Sequence, residues 1–464
     1  MQLERRLLAA LCRDPELLDS RHEAQLRWAL TLARTSILRA PGGQDVHLSD
    51  ELTPFREWLT TRLAEALPSS TKVDGARLRN LIPSATLRLV AARRKVLENH
   101  VDSFGAEHLD QELRHKKLVL VLGGGGGSGF AHLGVFQLAE ELGHVPELIV
   151  GASMGSLMGL FRSVERSYST AAITQTVPGT FDLARVFRPF NGVTRFGMPG
   201  AFHMQLLRVA SQALDDFVGR TRLPLFSELP IRLEVIATGV RTGFHYSPAL
   251  EREINSADAT FSPFALRRRI KIFSGVVREL TANPRLLRMI VFGRQDGTRH
   301  LNAVEGVGFS CAVPGLFCYD VFHDDPQTVG ILERLFRKHR LWRATDGGVI
   351  SNVPCRPAWE SVMQGNIGTR NTYIFAADVF APTSSPSSLW WNPIQQFTRP
   401  VVAANRPFCD YLKTFRRPPS PLNLSPSRAK LVKIVSRARA ELDADAPVMR
   451  KALTPLPPLD HVTP

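Results

Sequence analysis

The sequence predicts an α/β protein: a three-layer fold around a central, mostly parallel sheet, preceded by a helical N-terminal region. Three observations carry that prediction. Leu118-Val119-Leu120-Val121-Leu122 is a continuous apolar run, the mark of a strand buried on both faces. A glycine-rich loop, a helical stretch over about 130–142 and a second apolar run, Leu148-Ile149-Val150, follow it in order. Strand, crossover helix and strand in that succession lie parallel in one sheet. Ahead of them, Leu26, Ala29, Leu30, Ala33 and Ile37 recur at helical spacing, with Arg27, Thr31 and Arg34 in the gaps.

The chain divides accordingly. Residues 1–115 read as helices, interrupted at Pro41-Gly42-Gly43 and Pro68-Ser69-Ser70. Residues 116–385 hold the sheet, with further strands expected near 233–237 and 373–377. A basic insertion over roughly 244–300 carries Arg267, Arg268, Arg269, Lys271, Arg285 and Arg288. Residues 386–464 form a basic, Pro/Ser-rich extension with Arg416, Arg417, Arg428, Lys430, Lys433, Arg437 and Arg439, expected to be partly disordered.

Lys and Arg exceed Asp and Glu by 58 to 43, a net charge of +15. Such a balance favours nucleic acid or an anionic membrane surface as partner. The basic stretches lack interleaved aromatic residues and any recognition motif, so no nucleic acid is expected. An anionic membrane surface, met through the insertion and the tail, is the partner the charge favours. Five dispersed cysteines form no C-x-x-C pair and no metal-ligand spacing, which suits a reducing cytoplasm. No stretch approaches the roughly 18 apolar residues of a spanning helix. The N-terminal MQLERRLLAALCRDPELL is broken early by Arg13, Asp14 and Glu16, and reads as an amphipathic helix rather than a signal peptide. A soluble, cytoplasmic chain, peripheral to a membrane at most, is expected.

Chemistry concentrates at three places. Gly151-Ala152-Ser153-Met154-Gly155 is a G-x-S-x-G motif directly after an apolar strand and before a helical segment. A sharp strand-to-helix turn there exposes the serine hydroxyl at the sheet edge, and small neighbours avoid clashes. Gly123 to Gly127, with Ser128 and Gly129, leave backbone N–H groups free to converge on one point. No Gly-Lys-Ser/Thr follows, so a Walker phosphate loop fails. A dinucleotide fingerprint is formally present, but no acidic residue ends the next strand. An oxyanion hole remains, since loops after neighbouring parallel strands share one edge of the sheet. Asp346-Gly347-Gly348 is either an ordinary Asp-Gly turn or a carboxylate base brought close by two glycines. A conventional triad is poorly supported: the histidine downstream of Asp346 is His461, near the chain end.

These elements, in this order, resemble the patatin-like phospholipases, in particular the bacterial and neuropathy-target-esterase-like branch. The matching positions are Gly124-Gly125-Gly126 with Gly129, then Gly151 to Gly155, then Asp346 to Gly348. Ala131-His132-Leu133-Gly134-Val135, Ala237-Thr238 with Thr242-Gly243, the segment from Ser310 to Phe317, and Asn352-Val353-Pro354 are similar as well. The resemblance covers roughly 116–382. It implies a Ser153-Asp346 dyad as catalytic pair, an oxyanion hole at Gly124, Gly125 and Gly126, and Gly129, Gly151, Gly155, Gly347 and Gly348 as supporting positions. It implies a phospholipid or lysophospholipid ester as substrate, and neither metal nor organic cofactor. Two positions depart from the family's pattern: Ser128 stands where Arg or Lys is usual, and Gly239 where Asp is common. The alternative is a non-catalytic lipid-binding or scaffold protein with a degenerate loop. The sequence assigns no oligomeric state.

Overall fold

The computed structural model describes residues 2–68, 73–167, 169–180, 183–190, 192–218, 222–255, 263–322, 325–382 and 392–461. The helical period of the N-terminal region produces Gln2–Arg13 (α1), Ser20–Arg34 (α2), Ser49–Ala66 (α3), Gly75–Asn99 (α4) and Ala106–Arg114 (α5). Asp19 and Asp74 cap α2 and α4, accepting from the His22 and Arg77 N–H groups at 2.8 and 2.9 Å; such caps contribute about 1 kcal/mol each. Helix α2 ends at Arg34, short of Ile37, which the helical spacing includes. Ile37–Arg39 instead pairs antiparallel with Asp45–His47 around the Pro41-Gly42-Gly43 turn. These helices bury a core of their own around Trp28, Leu32, Leu59 and Leu63, to which Leu456 and Leu459 contribute from the far end of the chain.

The central sheet has seven strands among the described residues. They are Lys117–Leu122 (β1), Leu148–Ala152 (β2), Arg232–Arg241 (β3), Leu287–Phe292 (β4), Leu341–Thr345 (β5), Thr372–Asp378 (β6) and Tyr411–Thr414 (β7). Strands β7, β6, β1, β2 and β3 lie side by side, each parallel to its neighbour. Strands β4 and β5 run antiparallel to β3. One edge of β3 is shared by β2, along its first half, and β5, along its second.

Helices cover both faces, because successive side chains of a buried strand point in opposite directions. The helices that matter for the site are His132–Glu141 (α6), Met154–Ser163 (α7), Ala303–Cys311 (α8), Cys355–Met363 (α9) and Arg428–Ala440 (α10). Leu118, Leu120 and Leu122 pack with Phe136 of α6 and Leu157 of α7. Val119 and Val121 pack on the other side with Ala358 and Val362 of α9. The fold is therefore a three-layer α/β sandwich with a mostly parallel sheet and a helical region ahead of it.

Strands β4, β5 and β7 escaped the sequence reading. Arg288, Arg343 and Lys413 interrupt their apolar runs, as is usual where a strand borders the sheet and not its centre. Strand β4 falls inside the stretch read as a basic insertion. Helix Pro263–Ala282 carries Arg268 and Lys271, and Arg285 lies in the short turn Pro284–Leu286; the side chains of Arg267 and Arg269 lie outside the described residues. The described part of the extension expected to be partly disordered holds regular elements. Residues 383–391 and 462–464 lie outside the described residues, but 392–461 are folded: β7 joins the main sheet, and α10 packs on α6. The apolar residues that anchor this segment, Phe415, Leu431, Val435 and Leu453, are buried but widely spaced among prolines and basic residues.

Candidate active site

Strand β2 is buried along its length and ends at Ala152, and α7 begins at Met154, so Ser153 alone makes the turn. Its backbone adopts φ 51° and ψ −130°, a conformation that costs a residue with a Cβ on the order of 1–3 kcal/mol. Its surroundings hold it there. The Ser153 N–H donates to Ser310 Oγ at 2.8 Å, and the Ser153 carbonyl accepts from the Ser156 hydroxyl at 2.6 Å and the Ser156 N–H at 2.8 Å. The flanking glycines allow the tight turn. A Cβ on Gly155 would lie 2.2 Å from the Leu122 carbonyl oxygen, and one on Gly151 would meet the Ser156 backbone.

Asp346 follows directly after β5. Its N–H donates to the Ala312 carbonyl at 2.9 Å, and the Thr238 hydroxyl donates to its carbonyl at 2.7 Å. The Gly347 N–H donates to the Ser310 carbonyl at 3.1 Å, and the Ser310 hydroxyl donates to the Ile236 carbonyl at 2.6 Å. Ser310, on α8, thus ties the serine turn and the aspartate loop to β3. Gly347 approaches β3 so closely that a Cβ would sit 2.0 Å from the Ile236 carbonyl oxygen. The Gly348 N–H donates to Asp346 Oδ1 at 2.7 Å.

Asp346 is buried, and burial pushes its carboxyl up to about 6, against the opposing pull of Ser153 and the Gly348 N–H. The Ser153 hydroxyl is therefore near enough to favour the carboxylate. Asp346 Oδ2 nevertheless accepts no hydrogen bond of ordinary length from a described group. No hydrogen bond joins the two side chains.

The glycine loop lies on the other side of the serine. A Cβ on Gly124 would come within 2.9 Å of Ser153 Cβ. Its N–H, expected as an oxyanion donor, is already given to the Asn352 carbonyl at 3.1 Å. The N–H groups of Gly125 and Gly126 donate to no described group, and Gly126 takes φ 54°. Gly129 packs against Met154. Gly127 and Ser128 are held from outside the sheet: the Gly127 N–H donates to the Pro421 carbonyl at 2.7 Å, and the Ser128 hydroxyl to the Pro419 carbonyl at 2.9 Å. An apolar cavity of about 100 Å³ opens beside Ser153, with Met154, Leu157, Met204, Phe317 and Leu424 in its lining.

Among the described residues no histidine hydrogen-bonds to Ser153 or Asp346. His132 is buried in α6, where its Nε2 meets the Gly123 carbonyl at 2.8 Å and burial pushes it down to about 4; it supports the loop as a neutral ring. His323 lies outside the described residues. Cys311 also lines the cavity, but burial, and next the Asp346 charge, push its thiol far above the usual range, so it stays protonated. No cluster of His, Cys, Asp or Glu among the described residues has the arrangement of a metal site, and none of their helices is long and apolar enough to cross a membrane.

Sequence reasoning quoted Ser310 and Asn352 only as parts of longer similar segments and gave them no role. Their work is done by main-chain contacts, which residue type signals weakly. Pro419, Pro421 and Leu424 were missed because nothing in a Pro/Ser-rich stretch announces contact with a loop almost 300 residues earlier.

Comparison with known proteins identifies the family of the chain. A family profile described as patatin-like phospholipase matches residues 120–359, more than half of the chain. Patatin-like phospholipase domain-containing protein 6 of Homo sapiens is 43% identical over 61 residues, covering 13% of this chain and 4% of that protein. Lysophospholipase NTE1 of Saccharomyces cerevisiae is 32% identical over 117 residues, covering 24% and 6%. Patatin-like phospholipase domain-containing protein 7 of Mus musculus is 40% identical over 65 residues, covering 14% and 5%. The aligned stretches thus span a small part of each relative's own length. The profile, the sheet order and the ordered motifs lead to one statement: this chain belongs to the patatin-like phospholipase family.

Proposed function

We propose that the protein is a serine acyl hydrolase acting on lipid esters, of the phospholipase or lysophospholipase kind, through Ser153 and Asp346. The observation that carries this reading is the juxtaposition of a serine in a strained strand-to-helix turn with a buried carboxyl whose pKa is lifted to about 6. A base poised near neutrality can take the hydroxyl proton as the oxygen attacks the ester carbonyl. The oxyanion forms against the N–H groups of Gly125 and Gly126, which have no other described acceptor. Gly124 serves the site through its lack of a side chain, not through its N–H. Asp346 gives that proton to the leaving alcohol. Water then attacks the acyl-serine as Asp346 takes its proton, and Asp346 returns the proton to Ser153 Oγ as the acyl bond breaks and the fatty acid is released. No metal or organic cofactor enters these steps.

Residues 116–385 are the catalytic unit in this reading, with 1–115 and 386–464 as attachments; of the latter, β7 joins the sheet and α10 packs on α6. The exposed basic residues of α10, Arg428, Lys430, Lys433 and Arg437, lie on a helix that packs beside the glycine loop. They give the site an approach to an anionic bilayer, each charge adding about 1 kcal/mol near such a surface.

Release of fatty acid from lysophosphatidylcholine by the full chain tests the assignment. Ser153→Ala and Asp346→Asn each reduce turnover by several orders of magnitude if the two act as a unit. Turnover retained in Ser153→Ala refutes it.

A further inference from the structure

The segment after β7 does not run free. Phe415 is buried and its N–H donates to the Asp378 carbonyl at 3.0 Å; the Arg416 and Arg417 N–H groups donate to the Glu441 carboxylate at 2.8 and 3.0 Å. Residues 419–424 then cross the glycine loop with backbone against backbone. The Pro419 and Pro421 carbonyls accept from the Ser128 hydroxyl and the Gly127 N–H. A Cβ on Gly126 would come 2.6 Å from the Pro421 carbonyl oxygen, and one on Gly127 2.5 Å from that of Asn423. Beyond the crossing, α10 is fixed to α6: a Cβ on Gly134 would lie 2.7 Å from Ala438 Cβ, and Arg439 pairs with Glu141. The crossing is therefore anchored at both ends, and the glycines beneath it are needed for its approach as well as for the oxyanion.

Where this strap leaves the loop, Leu424 joins Met204 and Phe317 in the apolar lining of the pocket that holds Ser153. The pocket has about 100 Å³ of room and is open to the outside, so an acyl group on Ser153 would lie against this lining.

We infer that Leu424, at the end of the strap, is a wall of the acyl site and a specificity-determining residue for acyl-chain length. This rests on the Ser153 reading above and adds to it a determinant of acyl preference. Leu424 is only half-buried and bonds through no polar atom of its side chain, so trimming it enlarges the cavity without removing either carbonyl that holds the loop.

The test is hydrolysis of p-nitrophenyl butyrate and p-nitrophenyl decanoate, each below its aggregation limit, by the full chain and by Leu424→Ala, Leu424→Phe and Ser153→Ala. The readout is the decanoate-to-butyrate ratio of kcat/KM. One or more methylenes of fit in an apolar pocket change such ratios about tenfold or more, so Leu424→Ala raises the decanoate-to-butyrate ratio by about tenfold and Leu424→Phe lowers it. A ratio that stays within twofold in both variants, with turnover still dependent on Ser153, overturns the inference and leaves the dyad standing. Absence of any Ser153-dependent turnover overturns both readings together. The ratio is internal to each protein, so partial loss of folded material does not imitate the expected shift.

Discussion

Replacing Asp346 by Asn separates the two effects of its carboxyl, which the structure sets against each other. Burial raises the group to about 6 from its ordinary value of 3.8. A carboxyl whose folded pKa is raised costs stability once the unfolded chain has ionised, that is, as pH rises from about 4 to about 6. Above the folded pKa the cost is constant. Two units correspond to about 3 kcal/mol. Asn carries no charge, so the difference in stability between variant and wild type grows by about 2 kcal/mol from pH 4.5 to pH 8 in favour of the variant. Any fixed penalty of the amide itself cancels in that comparison. Urea unfolding midpoints of the two proteins across this pH range read the effect. The variant is catalytically dead and yet gains stability as pH rises. A difference that is flat with pH, or that shrinks toward pH 8, refutes the claim that the carboxyl is held ionised in the folded protein at an energetic cost.

The same titration governs rate. Only ionised Asp346 accepts the serine proton, so kcat/KM rises with pH through about 6 and levels above it; an acid limb centred below pH 4.5 contradicts this. For the basic face of α10, sedimentation with vesicles containing phosphatidylserine exceeds that with neutral vesicles and weakens with salt, while equal binding to both discounts the surface. A third prediction concerns the junction with the N-terminal helices. Glu4 is buried; burial alone would raise its carboxyl, but Lys116 and Arg34 hold it down to about 2. Its contribution is present above the unfolded value and is lost as pH falls through about 2. Glu4→Gln leaves Lys116 buried without its partner and costs about 3 kcal/mol at neutral pH, read as a lower unfolding midpoint.

Much of the central unit was legible because its signals are local. A strand buried on both faces must be continuously apolar, so 118–122 and 148–150 stood out, and a serine between a strand and a helix fixes the turn that holds it. The parts that were not legible depend on distant partners. Strands β4, β5 and β7 border the sheet, where one side of the ladder is unpaired or shared, and so tolerate Arg288, Arg343 and Lys413. The glycine run suggested three N–H donors, yet which of them is free depends on the Asn352 carbonyl more than 200 residues away. Ser128 read as the loss of a cation; in the folded chain its hydroxyl holds the Pro419 carbonyl, a contact no local pattern encodes. Composition suggested a loose tail, but proline also fixes φ, and here it helps lay a backbone across the glycine loop.

The measurement that bears most directly on the central claim is covalent labelling of the full-length protein with a fluorophosphonate, followed by identification of the modified peptide. The account predicts one adduct, on Ser153, absent from Ser153→Ala and much slowed in Asp346→Asn. Labelling that persists in Ser153→Ala, or a wild type that never reacts with or without added lipid vesicles, would contradict it.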